Sequence, residues 1–139
     1  MRAAALIAGG VALAMAASAP GWGARADDAR PASFTQAQAD QGLDLYRSNC
    51  ASCHGQNLND GEFAPSLKGA GFRAKWSGQG VGALFAYVTA NMPPGQAGVL
   101  AADDYAALTA YLLQANGAAA SDKPLPADAK ALAAMKWPG

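Results

Sequence analysis

The chain has 139 residues, of which 52% are hydrophobic, and ten basic side chains balance ten acidic ones. This length accommodates a single folded domain, and a chain without net positive charge lacks the basic surface that nucleic-acid binding requires. Ala and Leu far outnumber Val and Ile, which favours helices over sheet. We therefore predict an all-α domain.

The beginning of the chain has the pattern of a secretory signal peptide. A basic residue precedes an apolar run, and small residues then lead to a polar segment. Cleavage is predicted after Ala26 rather than after Ala19, because Ala19 is followed by Pro20. An uncleaved membrane anchor is the alternative, for which the Ala-rich run is short. We therefore expect a periplasmic protein, with residues 1–26 as the signal peptide and residues 27–33 as an N-terminal extension.

A helix is predicted next, and it leads to the first cysteine. Thr35 and Gln38 form a capping-box pattern, with Phe34 before them as an apolar staple. Apolar or small residues then recur at helical spacing up to Cys50. Gly42 lies inside this helix, where a glycine costs about 1 kcal/mol. It indicates either the close passage of another backbone or a tolerated surface glycine.

The segment Cys50-Ala51-Ser52-Cys53-His54 contains both cysteines and the single histidine of the chain. A thioredoxin-type redox pair would follow a strand, and no strand pattern precedes Cys50. A structural zinc site needs four ligands, and the chain lacks a second pair. The spacing is that of haem c attachment, in which both thiols form thioethers with the vinyl groups and the adjacent imidazole binds iron. One helical turn brings Cys50 and Cys53 to the same side, which suits this chemistry.

Residues 55–80 are rich in Gly and Asn and are predicted to form a long irregular loop around the haem. A helix is expected from about Val81 to Ala90, and the two prolines after Met92 stop it. No second histidine is available as a sixth iron ligand, so Met92 on its stiff loop is the candidate, with a role in core packing as the alternative. Met135, in the C-terminal tail, is the other methionine that remains after signal removal.

The last long helix carries acidic residues in its first turn and ends at Asn116 and Gly117. Its apolar stripe comprises Tyr105, Leu108, Leu112 and Ala115, and we expect this helix to cross the first helix at Gly42. Residues 118–139 form a Pro- and Ala-rich C-terminal tail. Its apolar residues are predicted to form one short helical patch, which docks a partner, packs on the domain itself or stays disordered; they are Leu132, Met135 and Trp137.

Several segments together resemble class I c-type cytochromes: YRSNCASCHGQNL, FAPSLKGAGF, Trp76, LFAYV, MPPGQAG and the helix YAALTAYLLQANG. More narrowly, they are similar to bacterial monohaem cytochrome c domains found beside or fused to pyrroloquinoline-quinone-dependent dehydrogenases. The resemblance covers residues 34–117. It implies a cytochrome c fold, with three main helices and long loops wrapped around one covalently bound haem.

The resemblance implies a role for each matching residue. Cys50 and Cys53 would hold the haem, with His54 as the proximal and Met92 as the distal iron ligand. Pro65 matches the proline whose backbone carbonyl accepts the proton of the proximal imidazole, which makes that imidazole a better donor to iron; an ordinary loop proline is the alternative.

The resemblance also reaches the surrounding loop. Trp76 matches the tryptophan that helps to bury a haem propionate, and core packing explains it equally well. Ala101 departs from the Ser or Thr that commonly opens the last helix, which predicts a weaker cap. The basic residues Lys68, Arg73 and Lys75 are predicted to form a solvated face, with contact to the propionates or to an acidic partner as the alternatives.

These features predict a function. A haem with both axial positions filled by protein offers no site for substrate or oxygen, so we expect a periplasmic one-electron carrier and not an enzyme. The expected donor is a dehydrogenase, such as a pyrroloquinoline-quinone-dependent alcohol dehydrogenase, and the acceptor an oxidase or another cytochrome. If Met92 does not bind iron, the alternative is a five-coordinate haem c module that binds a diatomic gas or acts as a weak peroxidase. Free carrier and subunit of an oxidoreductase complex both remain open.

Overall fold

The computed structural model describes residues 30–138, so the predicted signal peptide and the first residues of the N-terminal extension lie outside the described residues. Six helices and two very short strands follow in chain order: β1 Arg30–Pro31, α1 Gln36–Asn49, α2 Ala51–His54, α3 Ala70–Trp76, α4 Val81–Asn91, α5 Ala102–Ala115, α6 Ala129–Ala133 and β2 Met135–Lys136. The predicted all-α fold is confirmed, with a two-stranded parallel sheet as its sole addition within the described part. None of the helices in residues 30–138 has the length and hydrophobicity needed to span a membrane.

Helices α1 and α5 pack against each other and organise the core. The capping box of α1 is present as predicted, since the Thr35 hydroxyl accepts from the Gln38 amide and the Gln38 side chain accepts from the Thr35 amide. The predicted crossing at Gly42 is confirmed: a Cβ atom at that position would lie 2.0 Å from the backbone oxygen of Ala107 in α5. The absence of this one atom therefore sets how closely the two helices approach.

Helix α5 begins without a side-chain cap, as predicted from Ala101. Its end is better anchored than the sequence indicated. The buried Asn116 side chain donates to the carbonyls of Leu112 and Leu67 and accepts from the Gly69 amide. One side chain thus ties the C-terminus of α5 to the loop that was predicted to wrap the cofactor.

The prediction that residues 55–80 form an irregular loop was wrong over α3. Phe72 and Trp76, four residues apart, both turn into the core, and this i, i+4 spacing gives a short helix one apolar face. Glycines at 69 and 71 hid that pattern in the sequence. The rest of the segment is loop and turn, and it precedes α4, which runs one residue further than predicted.

The C-terminal tail packs on the domain itself. Leu125 and Leu132 are almost fully buried, and Gln38 of α1 both donates to and accepts from the backbone of Leu125. The predicted single helical patch was wrong: α6 ends before Met135, which instead pairs with Arg30 in the sheet. Gly82 of α4 allows α6 to approach, since a Cβ there would lie 2.7 Å from the nitrogen of Ala133.

Candidate functional site

One cavity of about 800 Å³ lies between the helices. All six residues proposed for the site from the sequence line it, namely Cys50, Cys53, His54, Pro65, Trp76 and Met92. The remaining wall includes apolar side chains from α4 and α5, among them Leu84, Leu108 and Leu112. A cavity of this size and apolar character is typical of sites for small molecules and cofactors.

The cysteines lie where α1 gives way to α2. Cys50 ends α1 and begins α2, a single turn in which the His54 amide donates to the Cys50 carbonyl over 3.0 Å. No disulfide joins the two cysteines. Burial, and then the neighbouring Cys53, raise the pKa of the Cys50 thiol to about 11. The preceding element is a helix, which is not the strand-to-helix turn of a thioredoxin-type pair.

The imidazole of His54 is buried and fixed by a backbone contact. Its Nδ1 atom lies 2.8 Å from the carbonyl oxygen of Pro65, the contact that the resemblance implied. Because a carbonyl can only accept, the proton of the neutral ring is on Nδ1 and the lone pair is on Nε2. The structure therefore holds the imidazole in the tautomer that a metal ligand needs.

The turn after His54 has no room for side chains at Gly55 and Gly61. A Cβ at Gly61 would lie 2.2 Å from the carbonyl oxygen of Cys53, and one at Gly55 would meet Asp60. The Asp60 carboxylate accepts from the backbone and side-chain nitrogens of Asn57, and these hydrogen bonds lower the pKa of Asp60. The motif is thus backed by a tight loop, whose glycines the sequence alone indicates only as loop formers.

Two tyrosines that the sequence analysis did not assign to the site support it. The Tyr46 hydroxyl donates to the carbonyl of Gly55, directly after the motif. Burial raises the pKa of Tyr46 to about 12, with a smaller contribution from Tyr111. The Tyr105 hydroxyl donates to the carbonyl of Met92 over 2.9 Å. Helical periodicity marks both as core residues, but it cannot identify a hydroxyl partner in a loop.

Trp76 packs among other aromatic rings at the wall of the cavity, which is the core-packing role considered for it. This residue is 5% exposed and lines the cavity, and its ring lies 5.3 Å from that of Tyr87 and 6.3 Å from that of Phe72. The Lys75 ammonium lies 4.8 Å from the centre of the Trp76 ring. Trp137 of the tail packs edge-on against Phe72. The tail therefore supports the cavity wall from behind.

The predicted basic cluster is divided in the structure. Lys68 and Lys75 line the cavity, whereas Arg73 is not among the lining residues. Phe63, which the sequence analysis did not single out, also lines the cavity and is 81% exposed. An isolated aromatic residue in a Gly- and Asn-rich loop is the signal that would have identified it.

The donor atoms at the cavity distinguish a metal ion held by side chains alone from a haem. Across residues 30–138, no group of three or more His, Cys, Asp and Glu side chains converges as a metal site would. The lining instead offers two thiols, one imidazole and one thioether around an apolar volume. This set fits a haem held by two thioether bonds, with nitrogen and sulfur available to iron.

Comparison with known proteins gave one family. A model of the family described as "Cytochrome C oxidase, cbb3-type, subunit III" matches residues 37–112, which is more than half of the chain. The matched region runs from the first turn of α1 into α5 and includes every residue proposed for the site. Comparisons with curated proteins and with solved structures found no match.

Proposed function

Because the chain belongs to this family of c-type cytochrome domains, its cofactor is covalently bound haem c and its role is electron transfer, and we propose that His54 and Met92 are the axial ligands of the iron. The resemblance to class I c-type cytochromes is thereby confirmed. When bound, the haem supplies an iron centre that gains or loses one electron. The observation that carries the proposed ligation is that the only histidine and Met92 line the same cavity as both cysteines.

The chain's own residues prepare the site for this ligand pair. The Pro65 carbonyl orients His54 and leaves its Nε2 free to bind metal. Met92 lies at the end of α4, where its amide donates to the Val88 carbonyl, and two prolines follow it. Both donors are thus attached to defined backbone, and we expect little rearrangement between the oxidised and reduced states.

The apolar lining shapes the redox properties. Leu84, Leu108 and Leu112 are buried and keep water from the cavity wall. A thioether ligand and an apolar environment together favour the reduced, less charged state, so we expect a higher reduction potential than two imidazole ligands would give.

Met92→Ala tests the ligation, with Met135→Ala as the matched control. In the haem-containing protein, Met92→Ala should abolish the red-region charge-transfer band that marks ferric iron bound to methionine sulfur. It should also lower the reduction potential and allow carbon monoxide to bind the ferrous protein. Met135→Ala should change none of these, because Met135 lies in β2 and not among the residues that line the cavity.

A red-region band that survives in Met92→Ala would mean that another methionine binds the iron, and it would refute the assignment of Met92. An unaltered ferrous protein that binds carbon monoxide readily at neutral pH would favour the five-coordinate alternative.

We further propose that the protein is exported to the periplasm, accepts electrons from a dehydrogenase and passes them to a respiratory acceptor. The signal-like start of the chain supports export. Lys68 and Lys75 at the cavity, with the exposed ring of Phe63, support a docking face for an acidic partner. Lys68→Glu and Lys75→Glu should slow reduction by such a dehydrogenase most strongly at low salt. Lys130→Glu is the control. If the Lys68→Glu and Lys75→Glu variants are reduced as fast as this control, the two lysines form a solvated face and do not contact the partner.

A further inference from the structure

The hydroxyl group of Tyr105 joins the two ends of the segment that carries Met92. It donates to the Met92 carbonyl over 2.9 Å and accepts from the Gly98 amide, also over 2.9 Å. Tyr105 is 1% exposed, so its hydroxyl reaches the segment from within the core. One buried oxygen thus closes residues 92–98 into a ring.

Apart from the Met92 amide, which donates to the Val88 carbonyl in α4, few contacts hold the segment in place. Residues 94–98 are exposed, and Pro93 and Pro94 have no amide proton to donate. The Gln96 amide donates to the Pro93 carbonyl, which is a contact within the segment itself. Among residues 30–138, both hydrogen bonds that join this segment to α5 involve Tyr105.

Helix α5 provides a fixed support for this hydroxyl. It is packed against α1, where the backbone of Ala107 lies against Gly42. Tyr105 lies two residues before Ala107 and is itself buried. Movement of the Met92 segment away from the cavity therefore requires the loss of the Tyr105 hydrogen bonds, because α5 cannot follow.

We propose that Tyr105 is a positioning residue that keeps Met92 at the cavity and so limits displacement of its sulfur by external ligands. This inference rests on the proposed His54 and Met92 ligation. Tyr105→Phe keeps the ring in the core and leaves the Met92 carbonyl and the Gly98 amide without their partner. The loss of such a bond favours the open form of the segment about tenfold.

The test uses the ferric holoprotein and imidazole as the competing ligand. Tyr105→Phe should bind imidazole about tenfold more tightly than the unaltered protein, with parallel loss of the red-region band. Tyr111→Phe is the control, because Tyr111 lies on the same helix and makes no hydrogen bond through its hydroxyl within residues 30–138. Imidazole affinity within twofold of the unaltered protein in Tyr105→Phe would overturn the inference.

A denaturant titration distinguishes the positioning of Met92 by Tyr105 from a purely structural role of Tyr105. If Tyr105 positions Met92, imidazole affinity rises in Tyr105→Phe at denaturant concentrations well below the unfolding transition, while far-ultraviolet dichroism is unchanged. Affinity that rises only within the transition would overturn the inference. Should the variant fail to fold, hydrogen exchange of the Gly98 amide in the unaltered protein decides: protection supports the inference, and exchange at the rate of an open glycine overturns it.

Failure of the proposed ligation has a separate signature. If the unaltered ferric protein lacks the red-region band, the assignment of Met92 is wrong, and the inference about Tyr105 is overturned with it. If the band is present and Met92→Ala removes it, the ligation stands whatever Tyr105→Phe does.

Discussion

Replacement of Gly42 by alanine should destabilise the domain, although alanine is the better helix former. The new Cβ would lie 2.0 Å from the oxygen and 2.6 Å from the carbon of the Ala107 carbonyl, and 2.8 Å from the Cβ of Tyr111. Two of these atoms belong to backbone, so no rotamer change relieves the overlap, and α1 and α5 must separate. Such overpacking costs about 3 kcal/mol at the upper end of its usual range. The higher helix propensity of alanine offsets about 1 kcal/mol of this cost.

The expected result for Gly42→Ala is therefore a loss of about 2 kcal/mol in the free energy of unfolding, measured on the holoprotein by denaturant titration. The propensity gain is measured separately at Asp44, an exposed position of the same helix. There the Asp44→Ala variant should be about 1 kcal/mol more stable than Asp44→Gly. An unchanged or increased stability of Gly42→Ala would refute the close helix approach, because propensity alone would then decide the sign.

Two further predictions concern a buried hydroxyl and the tail. Burial raises the pKa of Tyr46 from about 10 to about 12, so the free energy of unfolding should fall as the pH rises from 10 to 12, where the unfolded state loses the hydroxyl proton first. In Tyr46→Phe this fall should be smaller by about 2 kcal/mol. A pH profile identical to that of the unaltered protein would contradict the prediction. Leu132→Ala should lower the free energy of unfolding by about 3 kcal/mol, since Leu132 is fully buried. The exposed Lys130→Ala should change it by less than about 0.5 kcal/mol, and equal effects would mean that the tail does not pack.

The parts of the fold that could be predicted from sequence are those with local signals. The capping box, the helical spacing and the prolines after Met92 act within a few residues, and they identified α1, α4 and α5 closely. Gly42 also indicated a partner backbone, because a buried glycine in a helix needs a reason. The cysteine spacing identified the cofactor, since few kinds of site use two thiols and one imidazole in that arrangement.

The remaining features depend on contacts between distant residues. Tyr105 belongs to a correctly predicted apolar stripe, yet the stripe gives no sign that its hydroxyl meets Met92 and Gly98. Asn116 was recognised as a helix end, and its hold on Leu67 and Gly69 depends on a loop nearly fifty positions away. The packing of the C-terminal tail could not be predicted from its composition, because Pro- and Ala-rich sequences occur both in packed and in disordered segments.

The pairing of β1 with β2 has a consequence for the order of assembly. Arg30 and Pro31 meet Met135 and Lys136, which lie near opposite ends of the described chain. Closing so long a loop costs conformational entropy, and two paired residues on each strand cannot offset that cost alone. We therefore expect the strands to pair only after the intervening helices have brought the two ends of the described chain together, so that this small sheet is the last element to form.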